Sequence, residues 1–313
     1  MYGYGYQYSA IISGGGNPAA AIFAAYKTRV LADGGVVEND ACTIAFLESI
    51  GAGTDIIPLF DADAQAFFNR VTAASGSLTT TEQDAVNTLV VQMKADGIWD
   101  SMKAIYPMVG ASAAACSQNL KSSSFTGTFS SGWTFANTGV TPNGTSAFFN
   151  TEFNPVTQAQ VANSCFLSVY LRTNTQGAHY DIGNLDSFSS GFKGTFIISR
   201  YTTAQKYLSI SNGSYNTQNA ETNSIAFWIG GTNGSSSQIL YKNGISALTG
   251  ISTFAGFSNS NIYIGAANQL GSAVGFSNKQ NAFATIGNGL NASQVSNFYT
   301  AVQAFQTTLS RQV

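Results

Sequence analysis

The hydrophobic rhythm of the chain changes about a third of the way along. Between Asn17 and Lys121 apolar residues recur at three- and four-residue spacings, the period of an amphipathic helix. Asn17-Pro18 is an N-cap followed by proline at the first helical position; Ile22, Phe23, Tyr26 and Val30 then share one face, and Gly34-Gly35 ends the run. Further helices are expected from Asp40 to Ile50, stopped by Gly51, and from Ala62 to Ala74. The most fully specified is Glu82 to Ala95. Thr79 and Glu82 make a capping box, Ala85, Val86, Leu89, Val90 and Met93 form the apolar stripe, and Gly97 closes it. Ile98 to Tyr106 reads as a last turn or two before Pro107. The expectation is a small helical domain over residues 17–121.

From Phe125 onward the runs shorten and become rich in β-branched and aromatic residues: Trp133-Thr-Phe, Ala147-Phe-Phe, Phe166 to Leu171, Thr195 to Ser199, Tyr207 to Ile210, and Ile225 to Ile229. Asn-Gly pairs at Asn143, Asn212, Asn233, Asn243 and Asn288 punctuate this region, and none occurs before residue 123. A type I′ hairpin turn needs positive φ at both central residues, which Asn and Gly tolerate, so Asn243-Gly244 between two apolar runs predicts a hairpin. The pattern predicts an antiparallel two-sheet sandwich over 122–290, with Ala282 to Leu290 as its closing strand. A helix follows over 291–313. Asn291 and Gln294 cap it, and Val295, Phe298, Tyr299, Val302, Phe305 and Leu309 give one apolar face that is expected to lie on the sandwich of its own protomer, the alternative being a neighbouring subunit. The fold class is therefore mostly β with a helical N-terminal part, an α+β multidomain chain.

Residues 1–16 follow neither rhythm. Tyr2, Tyr4, Tyr6 and Tyr8 alternate with glycine and glutamine, which combines a freely turning backbone with large amphipathic rings and predicts an arm docked on a partner.

Composition narrows the chemistry. Only 9% of the 313 residues are charged, so Ser, Thr, Asn, Gln and Gly must supply the solvated surface. The net charge of −2 and the absence of any Lys/Arg cluster argue against nucleic acid. Charge is unevenly divided: residues 1–110 hold five basic and eleven acidic side chains, and 111–313 hold eight and four, which supports two segments. No run approaches the ~20 apolar residues of a membrane span. The first residues lack a basic, then apolar, leader, so export by the ordinary secretory route is not expected. Cys42, Cys116 and Cys165 are widely spaced and read as small buried hydrophobes, and no cofactor is expected. His179 beside Asp181 could serve acid–base chemistry but reads as a hydrogen-bonded structural residue. Asp181 and Asp186 could contribute to a calcium site, although the sandwich has only four acidic residues and Ca²⁺ takes 6–8 oxygens. Glu152 and Glu221 have no neighbouring carboxylate in sequence, which weakens a glycosidase pair.

Two stretches resemble a known family: Thr28-Arg-Val-Leu-Ala-Asp-Gly-Gly-Val-Val-Glu38 with Cys42, and Val91-Gln-Met-Lys-Ala-Asp-Gly-Ile-Trp-Asp-Ser-Met-Lys-Ala-Ile-Tyr-Pro-Met-Val-Gly110 with Asn119-Leu-Lys121. Both are similar to a segment of virion proteins of tailed bacteriophages, in which a helical part precedes a concanavalin A-like, laminin-G-like sandwich of jelly-roll type. The resemblance implies a structural head or tail appendage in the virion, a homo-oligomer with a trimer favoured, attached to other virion proteins through Tyr2, Tyr4, Tyr6 and Tyr8. It implies no catalytic residue. The alternative is a glycan-binding lectin module or a polysaccharide-degrading enzyme, for which Tyr201, Tyr207, Tyr215 and Trp228 are candidate sugar-stacking rings. The two readings are compatible if the appendage binds a host-surface glycan.

Overall fold

Two capped helices open the described part of the chain, which in this computed structural model is residues 60–313 apart from 234, 235 and 252. The tyrosine arm, the helices expected at 17–34 and 40–50, Cys42, the 28–42 motif and the turn at Asn233-Gly234 lie outside the described residues. Helix α1 spans Ala62–Ala73 and α2 spans Thr80–Ala95. The capping box of α2 is formed: the Glu82 carboxylate accepts from Thr79 N at 2.8 Å, and Glu82 N donates to Thr79 Oγ1 at 3.2 Å. Gly97, at φ +64°, gives α2 its left-handed end, with Ile98 N donating to the Met93 carbonyl at 2.9 Å.

The remaining elements in chain order are β1 (Met102–Tyr106), the single turn α3 (Ala113–Cys116), β2 (Thr128–Phe129), β3 (Trp133–Ala136), β4 (Gly139–Pro142), β5 (Phe149–Asn150), β6 (Ser164–Leu171), β7 (Ile182–Leu185), β8 (Gly194–Ile198), β9 (Lys206–Asn212), β10 (Asn216–Gln218), β11 (Ala226–Asn233), β12 (Ser237–Lys242), β13 (Ile245–Ile251), β14 (Tyr263–Ile264), β15 (Ala267–Gln269), β16 (Ser272–Val274), β17 (Asn281–Gly287) and α4 (Ala292–Thr308). They build two facing sheets. The first runs β13-β12-β11-β6-β17-β4-β3, with β1 also on β17; the second runs β10-β9-β8-β7-β14-β5-β2, with β15 parallel to β7 and β16 on β15. The other ladders are antiparallel, so the fold is the expected sandwich with a few helices. Leu167, Val169, Leu171, Trp228 and Ile286 from the first sheet meet Phe149, Ile182, Ile197, Leu208 and Ile264 from the second in one core.

One expectation about the helical part needs correction. The segment 98–106 is one 3-10 turn, Trp99–Ser101, followed by strand β1, whose Ala104, Ile105 and Tyr106 pair with Ile286, Thr285 and Ala284 of β17. A short apolar run buried on both sides has no period that separates helix from strand, and its partner lies far away in sequence. Tyr106 is fully buried, its hydroxyl 2.8 Å from the Phe125 carbonyl and 2.9 Å from that of Thr151. Consequently residue 121 marks no division: Asp61–Val313 is one compact unit, and α2 packs on α4. Strand β17, the strand expected to close the sandwich, has an interior place. It lies inside the first sheet between β6 and the strands β4 and β1.

The outer face of the first sheet is covered. Helix α4, held by the predicted Asn291/Gln294 box, sets Phe298 5.2 Å from Phe227, 6.0 Å from Phe166 and 6.2 Å from Phe283 between ring centroids. That cover explains why β6 is buried almost without interruption instead of alternating. Behind α4, Arg311 is wholly buried and donates to the carbonyls of Met108, Pro107 and Ala282 at 2.8, 2.7 and 2.9 Å. The Asn243-Gly244 hairpin between β12 and β13 has φ of 51° and 77°, the conformation its sequence predicts.

Candidate functional site

Strands β7, β8 and β9 lie side by side, so residues directly opposite one another share a face. Ile182, Ile197 and Leu208 point into the core, and their neighbours Gly183, Phe196 and Tyr207 therefore point outward. On that outer side Leu185, Phe192, Phe196 and Ile198 form a second apolar cluster with Tyr180, Tyr201 and Tyr207 packed on it. The rings touch in series. Tyr201 and Tyr207 meet edge to face at 5.1 Å, as do Tyr207 and Tyr215, and Tyr180 meets Phe196 at 5.1 Å. Phe192 stacks on Phe196 at 6.1 Å and leans toward Tyr215 at 6.4 Å. Tyr215 is 53% exposed, and the half-buried Tyr180, Tyr201 and Tyr207 also reach solvent.

Glycines make room for these rings. A Cβ at Gly183 (φ +150°) would come within 2.4 Å of the Phe196 Cβ, one at Gly194 within 2.3 Å of the Phe192 ring, and one at Gly275 (φ +62°) within 2.5 Å of the Tyr180 ring. Glycine inside a strand weakens it, and here the loss is offset by the ring packed in its place. Uncharged polar groups edge the aromatic face. Gln205 Oε1 accepts from the Tyr207 hydroxyl at 2.5 Å and from Thr203 Oγ1 at 2.7 Å, while Gln205 Nε2 donates to Asn219 Oδ1 at 2.6 Å. Burial, with Tyr201 and Tyr215 close by, pushes the Tyr180 phenol up to about 12, so it stays a neutral donor throughout the physiological range.

The sequence candidates fall into four groups. Tyr201, Tyr207 and Tyr215 are brought together on this face. Trp228 is not among them: it is fully buried in the core, with its indole N–H donating to the Ser224 carbonyl at 2.8 Å, because the parity of β11 turns it inward. The acidic candidates are engaged in ion pairs and turns. Asp181 is wholly buried, 2.9 Å from Lys279 Nζ, and accepts from Ser199 N at 2.5 Å. Asp186 accepts from Lys193 N at 2.7 Å in a turn, so the two aspartates do not converge as cation ligands would. Glu221 sits between Lys242 at 2.6 Å and Lys206 at 3.6 Å, while Glu152 accepts from the side chains of Asn150 and Asn261 at 2.7 and 3.1 Å. His179 is half-buried against Gly177, its pKa lowered by burial and by Lys279 against the pull of Asp181.

Sequence reasoning missed Tyr180, Phe192 and Phe196. The available signal was the run Gly191-Phe-Lys-Gly-Thr-Phe196, in which glycine separates two aromatic positions of the same parity. Cys116 and Cys165 are free and buried, in keeping with a packing role.

No family model and no curated protein matches the chain. Among solved structures, domain 4 of AbnA, an extracellular arabinanase from Geobacillus stearothermophilus, in complex with arabinotriose, is similar with a TM-score of 0.44 and 14% identity, over 63% of this chain and 98% of that one. The binding domain of botulinum neurotoxin serotype D gives a TM-score of 0.43 and 12% identity, over 65% and 52%. The NanB sialidase from Streptococcus pneumoniae gives 0.36 and 11%, over 46% and 25%. The chain spans about a quarter of the length of the sialidase chains it matches.

Proposed function

We propose that residues 61–313 form a carbohydrate-binding β-sandwich, carried by a structural virion protein and used to hold a host-surface glycan. The observation that carries the binding reading is the series Tyr201, Tyr207, Tyr215: touching, partly exposed rings on the outer side of the second sheet, with the most exposed ring, Tyr215, at 53%. The electron-rich face of an aromatic ring attracts the polarised C–H groups of a sugar, and the amides and hydroxyls at its border can take the sugar's own hydroxyls. Binding rather than cleavage is favoured because Glu221 and Asp181 are committed to lysine partners.

The virion part of the proposal rests on the resemblance of 28–42 and 91–121 to tailed-phage appendage proteins. Within the second stretch, Lys121 Nζ donates to the Trp99 carbonyl at 2.9 Å and sits 4.4 Å from its ring centroid, and Asn119 Oδ1 accepts from Ile105 N at 2.8 Å. Arg70 of α1 also donates to the Asn119 carbonyl at 2.8 Å, so this stretch ties a helix to β1, as a scaffold motif should. In this proposal Tyr2, Tyr4, Tyr6 and Tyr8 attach the protein, as a homotrimer, to other virion proteins. A glycan panel tests the binding: retention of the full chain by host-surface polysaccharide supports it, and no retention across a broad panel removes it. Deleting residues 1–16 should leave a folded protein that is missing from particles, and normal incorporation would remove the anchoring role.

A further inference from the structure

We infer that the glycan site continues past the rings, over strand β10 and into an open polar cleft between β10 and β13 that takes the next units of the same sugar chain; this rests on the binding reading above. The two strands end their sheets on one side of the sandwich, β10 the second and β13 the first, and among the described residues neither has a further strand beyond it. Between them lies a cleft of about 380 Å³ lined by Thr217, Gln218, Ser246, Ala247, Leu248 and Thr249. That volume is at the lower end of the ~300–1,000 Å³ usual for ligand sites.

The cleft adjoins the ring series. Thr217 is the cross-strand neighbour of Tyr207 and so shares its outward face, and Tyr215, in contact with Tyr207, immediately precedes β10. Neighbouring strands lie about 4.8 Å apart, so a sugar stacked on Tyr207 or Tyr215 has its next unit over β10. Asn216 alternates with Thr217 and turns the other way, toward β13: its side chain fills the space a Cβ at Gly250 would need, and its Nδ2 donates to the Ile251 carbonyl at 3.1 Å. By the two-residue period of a strand Gln218 points the same way, into the cleft it lines.

The lining suits hydroxyl groups. Thr217, Gln218, Ser246 and Thr249 are exposed, the hydroxyls of Ser246 and Thr249 are 3.4 Å apart, and none of the six lining side chains is charged. An edge strand also leaves the backbone N–H and C=O groups of its outer side unpaired. Hydroxyls, an amide and open backbone groups together donate and accept, as sugar hydroxyls do. A strand from a second copy fits less well, because the register of β13 with β12 shifts at a bulge between Leu240 and Tyr241 and Asn216 closes the edge at Ile251.

The test is a length series on the full chain. Affinity electrophoresis is run through gels holding neutral polymers (a β-glucan, a galactomannan, an arabinan) and anionic ones (alginate, polygalacturonate, hyaluronate), and affinity is then measured for oligosaccharides of rising length cut from each polymer that retards the protein. Affinity should climb about tenfold from the shortest bound oligosaccharide to those long enough to reach the cleft. Gln218→Trp, which fills the cleft from an exposed edge position, should abolish that gain and leave the shortest oligosaccharide bound as before, with the thermal midpoint unchanged. Gln218→Ala should remove about two- to threefold of it, the loss of one hydrogen bond, and it decides the matter if tryptophan lowers the midpoint. Affinity that does not rise with length, or long oligosaccharides bound unchanged by these variants, would overturn the cleft and leave binding on the rings standing. A concentration-dependent dimer that Gln218→Trp abolishes, with glycan affinity untouched, would give the cleft to a second copy. Retardation by no polymer would overturn both this inference and the binding reading.

Discussion

The two outer faces of the sandwich are built from similar residues and treated in opposite ways. On the first sheet Phe166, Tyr170, Phe227 and Phe283 lie under α4, whose Phe298 and Phe305 fill the gaps between them. On the second sheet Tyr180, Tyr201 and Tyr207 pack over the buried Phe192 and Phe196 but keep partial exposure, and Tyr215 is half in water. Exposed rings gain little for folding, whereas covered rings each contribute kilocalories. The same residue type therefore carries stability on one side and recognition on the other, and substitutions should separate the two roles.

The largest effect is expected on the covered face. Phe298→Ala removes a fully buried ring that touches three others, and should cost about 3–5 kcal/mol in chemical denaturation. Glycan binding by the fraction still folded should be unchanged. A loss of binding at full stability would erase the contrast between the faces.

Next comes the tie between the sheets. Asp181, just before β7, and Lys279, just before β17, are both wholly buried and joined at 2.9 Å, with Lys279 also 3.0 Å from Ser199 Oγ. Lys279→Met leaves a carboxylate stranded and should cost about 3–5 kcal/mol. Adding Asp181→Asn, which keeps an oxygen for Ser199 N, should restore much of it. A double variant no more stable than the single one would show that the charge pair is not what matters there.

These two cases also mark what a sequence can tell. The capping boxes at Thr79/Glu82 and Asn291/Gln294 and the Asn243-Gly244 turn were legible because each is satisfied by residues a few positions apart. Strand β1 was not, since its hydrogen bonds come from β17 about 180 positions later in the chain and its burial on both sides erases the alternation. For the site, Tyr201, Tyr207 and Tyr215 could be named as exposed aromatics, but Trp228 could not be excluded without knowing the parity of β11. Phe196 joined them only through the pairing of β8 with β7 and β9, and Phe192 through its ring contacts with Phe196 and Tyr215. The pairing of Asp181 with Lys279 crosses from one sheet to the other, and no local pattern announces it.

On the open face the balance should reverse. Tyr215→Ala is expected to leave stability within about 0.5 kcal/mol, as surface changes generally do, while weakening glycan binding about tenfold, equivalent to about 1.4 kcal/mol. Measured side by side with Phe298→Ala, it gives the sharpest form of the comparison: one variant unstable and competent, the other stable and impaired. If Tyr215→Ala unfolded the protein instead, the ring series would be a second core rather than a binding surface.

The smallest expected effect lies at the border of the open face, where His179 precedes Tyr180. Burial is the main cause of its lowered pKa, Lys279 adds to it, and Asp181 opposes. The unfolded chain, with histidine near its ordinary value of about 6.5, takes up the proton first. The contribution of His179 to stability is therefore complete above that value and declines as the pH falls below it. The thermal midpoint should drop modestly between pH 7 and pH 5, and His179→Gln should flatten that part of the curve by removing the titration. Carboxylates titrating at lower pH are common to both proteins, so the difference between the two curves isolates the histidine. A difference of opposite sign would mean that Asp181 outweighs burial and Lys279, and that this border is electrostatically tied to the buried pair more tightly than the open face beside it.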